Sequence, residues 1–389
     1  MKRARALATA TVAAAVSLAL ATPVEAVVAD QPDPGTASFN GAVRTVLSVG
    51  ATTYVGGDFT AANTASGSVP RARVAAIDTA TGQLLPFDPG ANGPVWSLAA
   101  DGTDVYLGGS FTAVGGQPRK NIAEVDAVSS PQGQVTGWRA SMSSRVRALT
   151  VADGVLYAGG QFLSVSGVAR SRLAAFDLGT GALTAWAPRA DKPVFDLLAT
   201  PRRIYVAGAF DSINLQTAAD SLAALDPVSG DPQSWDPTIS YPVRALDTDG
   251  TTLFAAATGG GGHLRAFTAD TGASVWEVTA DGDFQAVTLV GDVLYFGGHM
   301  DFICSTVNTG AQGVCLDGGS VERHKIGAVN AGDGTLLPFD PHAVGGFLGV
   351  LDLDSTANTV SAGGVFTGFQ NGAISQPYYA QFSETAVLP

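Results

Sequence analysis

The chain is short of lysine, cysteine, histidine and charge. Beyond residue 26 the only lysines are Lys120, Lys192 and Lys325, and the 389 residues hold 34 acidic against 21 basic side chains, a formal net charge of −13. That surplus argues against nucleic acid and anionic membranes as general partners. Two cysteines, Cys304 and Cys315, cannot supply a four-cysteine or cysteine–histidine zinc site. Four histidines (263, 299, 324 and 342) leave little material for a histidine-based centre, and the sequence contains no Gly-x-Ser-x-Gly or His-Glu-x-x-His. After the N-terminus there is no apolar run of about 18 residues, the length a membrane helix needs, and no long amphipathic helical pattern.

The N-terminus reads as a secretory signal. Lys2, Arg3 and Arg5 precede an alanine-rich apolar run that ends at Val24-Glu25-Ala26, a small-residue cleavage pattern. The expected mature chain is residues 27–389, a single domain in the extracellular space. Removal of three bases and one acid takes its net charge from −13 to −15. In that compartment Cys304 and Cys315 are expected to form a disulfide.

What the chain has in abundance is repetition. "YVGGDF" ends at Phe59, "YLGGSF" at Phe111, "YAGGQF" at Phe162 and "YVAGAF" at Phe210. Weaker copies are "LFAAAT" (253–258), "YFGGHM" (295–300) and "SAGGVF" (361–366). The second glycine or its equivalent falls at 57, 109, 160, 208, 257, 298 and 364, an average step of about 51. An alternating strand precedes each copy. After it comes an apolar run, then Asp, a glycine turn and an aromatic, as in "VAAIDTATGQLLPF" (74–87) and "LAAFDLGTGALTAW" (173–186). Strand, tight turn and strand is the reading of that pattern.

Four short antiparallel strands every 50 residues or so predict a propeller blade. The expectation is an all-β, seven-bladed β-propeller. The seventh unit lacks its last strand, and "GTASFNG", with Phe39, is expected to supply it and close the ring. The glycines are then strand ends that turn with positive φ or approach a neighbour closely. A dinucleotide-binding loop is excluded by context, because it should open a helix.

The repeat resembles the kelch-type and "AxDxxTGxxxW" propeller repeats. It is most similar to the delta-60-type repeats of exported bacterial proteins, over about residues 36 to 385. The resemblance implies the fold and leaves function open. Quinone-dependent dehydrogenases with related repeats carry a vicinal cysteine pair, whereas Cys304 and Cys315 stand apart. Galactose-oxidase-like enzymes use a tyrosine–cysteine copper centre, whereas Tyr54, Tyr106, Tyr157, Tyr205 and Tyr295 are repeat positions and read as core. No cofactor is expected.

Departures from the repeat are where function is sought. The second residue of each first strand gives the series Arg44, Trp96, Arg147, Phe195, Arg244, Gln285 and Leu348, expected to ring the channel mouth. Arginine with aromatic groups suits a sugar face, a carboxylate or a phosphate. A purely structural alternative pairs each arginine with an Asp of a neighbouring "FDP" or "WDP". The sixth unit carries a long insertion, "HMDFICSTVNTGAQGVCLDGGSVERHK", which gathers His299, Asp301 and His324 as further candidates; a solvated, disulfide-braced loop is the plainer reading. Arg71, Arg119, Arg170 and Arg323 recur seven residues before the Asp or Asn of their units, which points to a structural ion pair or carbonyl contact. Asp352 and Asp354 in "LDLDSTAN" resemble a fragment of a calcium loop, without the glycine and distal glutamate that complete one; their expected place is a turn. No metal ligands are assigned.

The function expected is a secreted, monomeric binding or scaffold protein that takes an extracellular glycan or protein on the face of its second-to-third-strand loops. The alternative is an extracellular carbohydrate-active enzyme (hydrolase, lyase or oxidoreductase) using the sixth-unit loop and the arginine mouth.

Overall fold

Alternating apolar residues at each repeat form hairpins, and in the computed structural model every hairpin receives a third antiparallel strand. The structure describes residues 27–127, 130–217, 220–307 and 313–384. The predicted signal segment, residues 1–26, lies outside them. In sheet one the strands are Val43–Val49, Thr52–Gly57 and Val74–Asp78, hydrogen-bonded in that order. Sheets two to seven repeat the arrangement, with first strands Val95–Asp101, Val146–Ala152, Val194–Ala199, Val243–Thr248, Phe284–Val290 and Val350–Thr356. Consecutive first strands pack side by side, and Val350–Thr356 packs back against Val43–Val49.

The apolar core lies between neighbouring sheets. Tyr54, Ala76 and Phe87 of sheet one, for example, form one cluster with Val95, Leu98 and Leu107 of sheet two. Each sheet thus buries both faces, and at about 25 cal/mol per Å² of apolar surface this burial is the main favourable contribution to folding.

The paired glycines serve close approach, and none of them has a left-handed φ. The first of each pair abuts the next sheet: a Cβ on Gly56 would lie 2.7 Å from Val95 Cγ1, and one on Gly159 2.6 Å from Val194 Cγ1. The second lies against its own hairpin, where a Cβ on Gly160 would sit 2.3 Å from the carbonyl oxygen of Arg145.

The expected fourth strand is complete only in sheet five, as Ser274–Ala280; in sheet two it shrinks to Gln134–Val135. In sheets one, three, four and six it is a single bridge, as at Ile77–Leu84 and Val329–Leu336. In sheets one, four and six Leu85, Gln233 and Leu337 still donate their N–H to Ala76 O, Ala224 O and Ala328 O, and the segment then leaves the ladder. What the segment does deliver is an aromatic ring. Tyr54–Phe87, Tyr106–Trp138, Tyr157–Trp186, Tyr205–Trp235 and Tyr295–Phe339 all meet edge to face, with centroids 5.1 to 5.9 Å apart.

The segment that meets the last strand differs from the expectation. Residues 29–33, ahead of Phe39, run along Tyr379–Ser383: Ala29 N–H donates to Ser383 O at 2.9 Å and Asp33 N–H to Gln381 O at 2.7 Å. Phe39 instead pairs across to Ala62 and packs its ring 4.3 Å from Phe59. It occupies the junction between sheets that Ala91 fills one unit later. Spacing to the next aromatic misplaced it, because the seventh sheet lacks the aromatic pair altogether: Ser361 stands at the tyrosine position and hydrogen-bonds the Tyr379 hydroxyl at 3.1 Å.

Candidate functional site

One irregularity, repeated seven times, builds the site. In every first strand the register slips between its first and third residues, as at Val43/Thr45, Val146/Ala148 and Val243/Ala245. The slipped residue is unpaired, and such a bulge re-aims its side chain. The bulged residues are Arg44, Trp96, Arg147, Phe195, Arg244, Gln285 and Leu351, and all seven line one central cavity of about 550 Å³. All seven expected mouth residues therefore border one cavity, six of them as bulged residues. The seventh bulged residue is Leu351 in place of Leu348. Left-handed glycines 345, 346 and 349 lengthen the lead into that strand and shift its start by three residues. Leu348 still borders the cavity, and its carbonyl accepts Gln285 Nε2–H at 3.2 Å.

The arginines and aromatics alternate as a stack. Guanidinium to ring-centroid distances run Arg44–Trp96 3.9 Å, Trp96–Arg147 5.0 Å, Arg147–Phe195 4.6 Å and Phe195–Arg244 4.5 Å. Arg145 joins the same Trp96 ring at 4.3 Å, with its Nε–H on Ser110 Oγ at 2.8 Å. Sequence reasoning missed Arg145, because it precedes the strand; its place in "SRVR" beside Arg147 was the available signal.

The anticipated pairing with "FDP" or "WDP" aspartates does not occur. Arg44 makes a bidentate pair with Asp58 of its own unit, at 2.9 and 2.5 Å. Among the described residues Arg147 and Arg244 have no carboxylate partner. Burial first, and then the neighbouring Arg244, Arg145 and Arg44 charges, push the Arg147 guanidinium down to about 10. Arg244 is lowered by burial against the opposing pull of Asp283. An acidic protein thus presents a concentrated positive mouth, in which the Arg147 and Arg244 guanidinium groups lie over aromatic rings.

Deeper in the channel the sign reverses. Asp196, Asp247, Asp352 and Asp354 line the same cavity. Asp352 and Asp354 lie in a first strand, not the expected turn, and all four carboxylates tie sheets together. Asp196 Oδ2 accepts Leu246 N–H at 2.8 Å, Asp247 Oδ2 accepts Leu289 N–H at 2.7 Å and Asp352 Oδ2 accepts Val46 N–H at 2.8 Å. Asp354 accepts Ser48 N–H. Burial raises Asp196 to about 7 and Asp247 and Asp354 to about 6, and it raises Asp352 as well.

The three candidates from the sixth unit do not form one site. His299 stacks on the exposed Phe347 ring at 5.1 Å. Asp301 pairs with Lys325 at 2.7 Å. His324 turns to Asp340 and His342, two residues that sequence reasoning left aside. Cys304 and Cys315 are disulfide-bonded. Replacing both with serine is expected to lower unfolding free energy by about 3 kcal/mol, read from denaturant midpoints, with the mouth unaffected. Arg71, Arg119, Arg170 and Arg323 make the carbonyl contact expected of them, to Leu85, Thr136, Thr184 and Leu337 at 2.6 to 2.8 Å.

Sheets that share cores in succession, with bulged side chains converging on one axis, define an all-β propeller-type repeat protein. Solved structures agree on that class. The chain is similar to U3-55K (TM-score 0.59, 12% identity, 90% of this chain and 99% of that one). It is also similar to the WD40 β-propeller domain of Doa1 (0.52, 13%, 91% and 97%) and to the computationally designed Ika8 protein (0.51, 14%, 89% and 98%). At such identities the likeness concerns the fold alone. Neither a protein-family model nor a curated protein matches the chain. Among the described residues no helix is long and apolar enough to cross a membrane.

Proposed function

We propose that this chain is an exported binding propeller of seven blades, with delta-60-like repeats, that recognises an acidic extracellular glycan at its central mouth. The carrying observation is the pair Arg147 and Arg244: half-buried, held against aromatic rings, and without a carboxylate partner among the described residues. An incoming carboxylate or sulfate supplies the missing charge and accepts charge-assisted hydrogen bonds. The faces of Trp96 and Phe195 are already covered by guanidinium groups, which favours an anionic ligand over a neutral sugar stacked on a ring. Blade count and closure rest on the circuit of first strands and on the Ala29 and Asp33 hydrogen bonds to the last strand. No observation favours the carbohydrate-active alternative: His299, Asp301 and His324 face different partners, and the channel aspartates are engaged by backbone amides.

The test is binding of the mature chain to immobilised acidic and neutral polysaccharides, beside Arg147→Ala/Arg244→Ala. The expected result is salt-sensitive binding to the acidic set that weakens at least about tenfold per arginine removed. Binding retained by the double variant would move the site to the outer loops. Absence of binding by either protein would sink the glycan version and leave an acidic protein segment as ligand.

A further inference from the structure

A second site lies outside the mouth, on the lead from sheet six to sheet seven. His324 Nδ1 and His342 Nδ1 are 3.2 Å apart, and each lies 3.6 Å from Asp340 Oδ2. The other carboxylate oxygen, Oδ1, accepts the backbone N–H of the same two residues, at 3.3 Å from His324 and 3.1 Å from His342. The carboxylate is therefore fixed with Oδ2 aimed between the two rings. Asp340 is nearly buried, at 9% side-chain exposure, while His324 and His342 are 25% and 35% exposed. The cluster has a closed floor and an open top.

The repeat shows that this is a substitution on a shared frame. Residues 84–89 and 336–341 both read "LLPFDP". In sheet one Asp88 Oδ1 accepts Ala72 N–H at 3.0 Å, the bond that His324 makes to Asp340. The aspartate is thus part of the frame, and its neighbours there are Ala72 and Gly90. Both become histidine in unit six, and only there. Gly90 has φ +70°, and His342 keeps the left-handed backbone at +52°, a conformation that suits glycine and strains a side chain. A strained histidine at a glycine position, facing a second histidine across a preset carboxylate, is not required by the fold.

We infer that His324 Nδ1, His342 Nδ1 and Asp340 Oδ2 bind one divalent transition-metal ion of the zinc class. Bonds of about 2.0 to 2.2 Å in tetrahedral arrangement place ligand atoms about 3.3 to 3.6 Å apart, close to the three separations seen. Octahedral neighbours at similar bond lengths lie about 3.0 Å apart, so the spacing favours a four-coordinate ion over a six-coordinate one. Two imidazoles disfavour calcium and magnesium, which take oxygen ligands. Two neutral imidazoles facing through Nδ1 need one of them to carry its proton inward; a cation instead accepts both lone pairs and meets the carboxylate charge. The fourth position faces solvent, open to water or to a donor from a ligand. This site does not depend on the reading of the mouth.

The test is titration of the untagged mature chain with zinc against a chromophoric chelator, beside His324→Ala/His342→Gly, which installs the residues of sheet one. One ion per chain is expected, with at least about a hundredfold weaker binding in the double variant. Cobalt(II) should give the strong visible bands of a four-coordinate ion with the parent chain only. Zinc should raise the melting midpoint of the parent and not of the variant. Equal affinity in both proteins, weak six-coordinate cobalt bands, or no binding by the parent at tenfold excess of zinc over protein would overturn the assignment. Should the double variant melt below the parent in chelator, Asp340→Asn replaces it. That change keeps an acceptor for both amides and removes the charge, and a loss of at least about tenfold is expected, equal affinity again overturning the site.

Discussion

Gly57→Val is expected to unfold the protein more readily than any single surface change, by roughly 3 kcal/mol or more, with a fall in melting midpoint of about 5 °C or more. A Cβ at Gly57 would lie 2.0 Å from the carbonyl oxygen of Ala42 and 3.0 Å from Val43 Cα. Both are backbone atoms at the start of the first strand, so no side chain can swing aside. The same strand start carries the Arg44 bulge, so the damage reaches the mouth. The fold accepts a methyl at one equivalent position, Ala257, and for that reason the test uses a branched side chain. Gly50→Ala is the control. Gly50 has φ +60° and nothing within 4 Å of its would-be Cβ, so only the backbone preference is lost, about 1 kcal/mol. Thermal and urea unfolding of the two variants should separate clearly; similar losses would mean that close approach is not what the second glycine provides.

The second large effect is on pH. Asp196, Asp247, Asp352 and Asp354 are raised above the ordinary carboxylate range by burial. The folded chain therefore holds protons that the unfolded chain has released. The stability contributed by these groups is fully present below about pH 4 and is lost as pH rises through about 6 to 7. Asp177 and Asp226 have the opposite sign: hydrogen bonds within their turns lower them, and their contribution is lost at acid pH. Maximum stability is expected near pH 5, with a decline toward pH 8 that the growing negative charge reinforces. Melting midpoints from pH 4 to 8.5 check this, and Asp196→Asn should flatten the decline on the alkaline side. A midpoint that climbs steadily to pH 8 would show that the channel carboxylates ionise without penalty.

The sequence determined the repeat, the class of fold and most of the mouth. A period near 51, strict alternation and glycine-marked strand ends are local properties, and local patterning decides strand and turn wherever one pattern serves every unit. Arg44, Trp96, Arg147, Phe195, Arg244 and Gln285 could be named because they occupy one repeat position and differ there. Tertiary structure decided the rest. Leu351 displaced Leu348 because three left-handed glycines lengthened a loop whose end no alternation marks. Residues 29–33, and not Phe39, run along the last strand through hydrogen bonds to residues some 350 positions away. Arg147 and Arg244 came to lie against Trp96 and Phe195 without a carboxylate partner among the described residues, while Asp58 paired with Arg44. Asp340 and His342 met His324 through a frame aspartate whose role in the sequence looks the same as that of Asp88. Partnership between residues far apart in the chain is set by packing, and a single sequence records the residues without recording which of them will face each other.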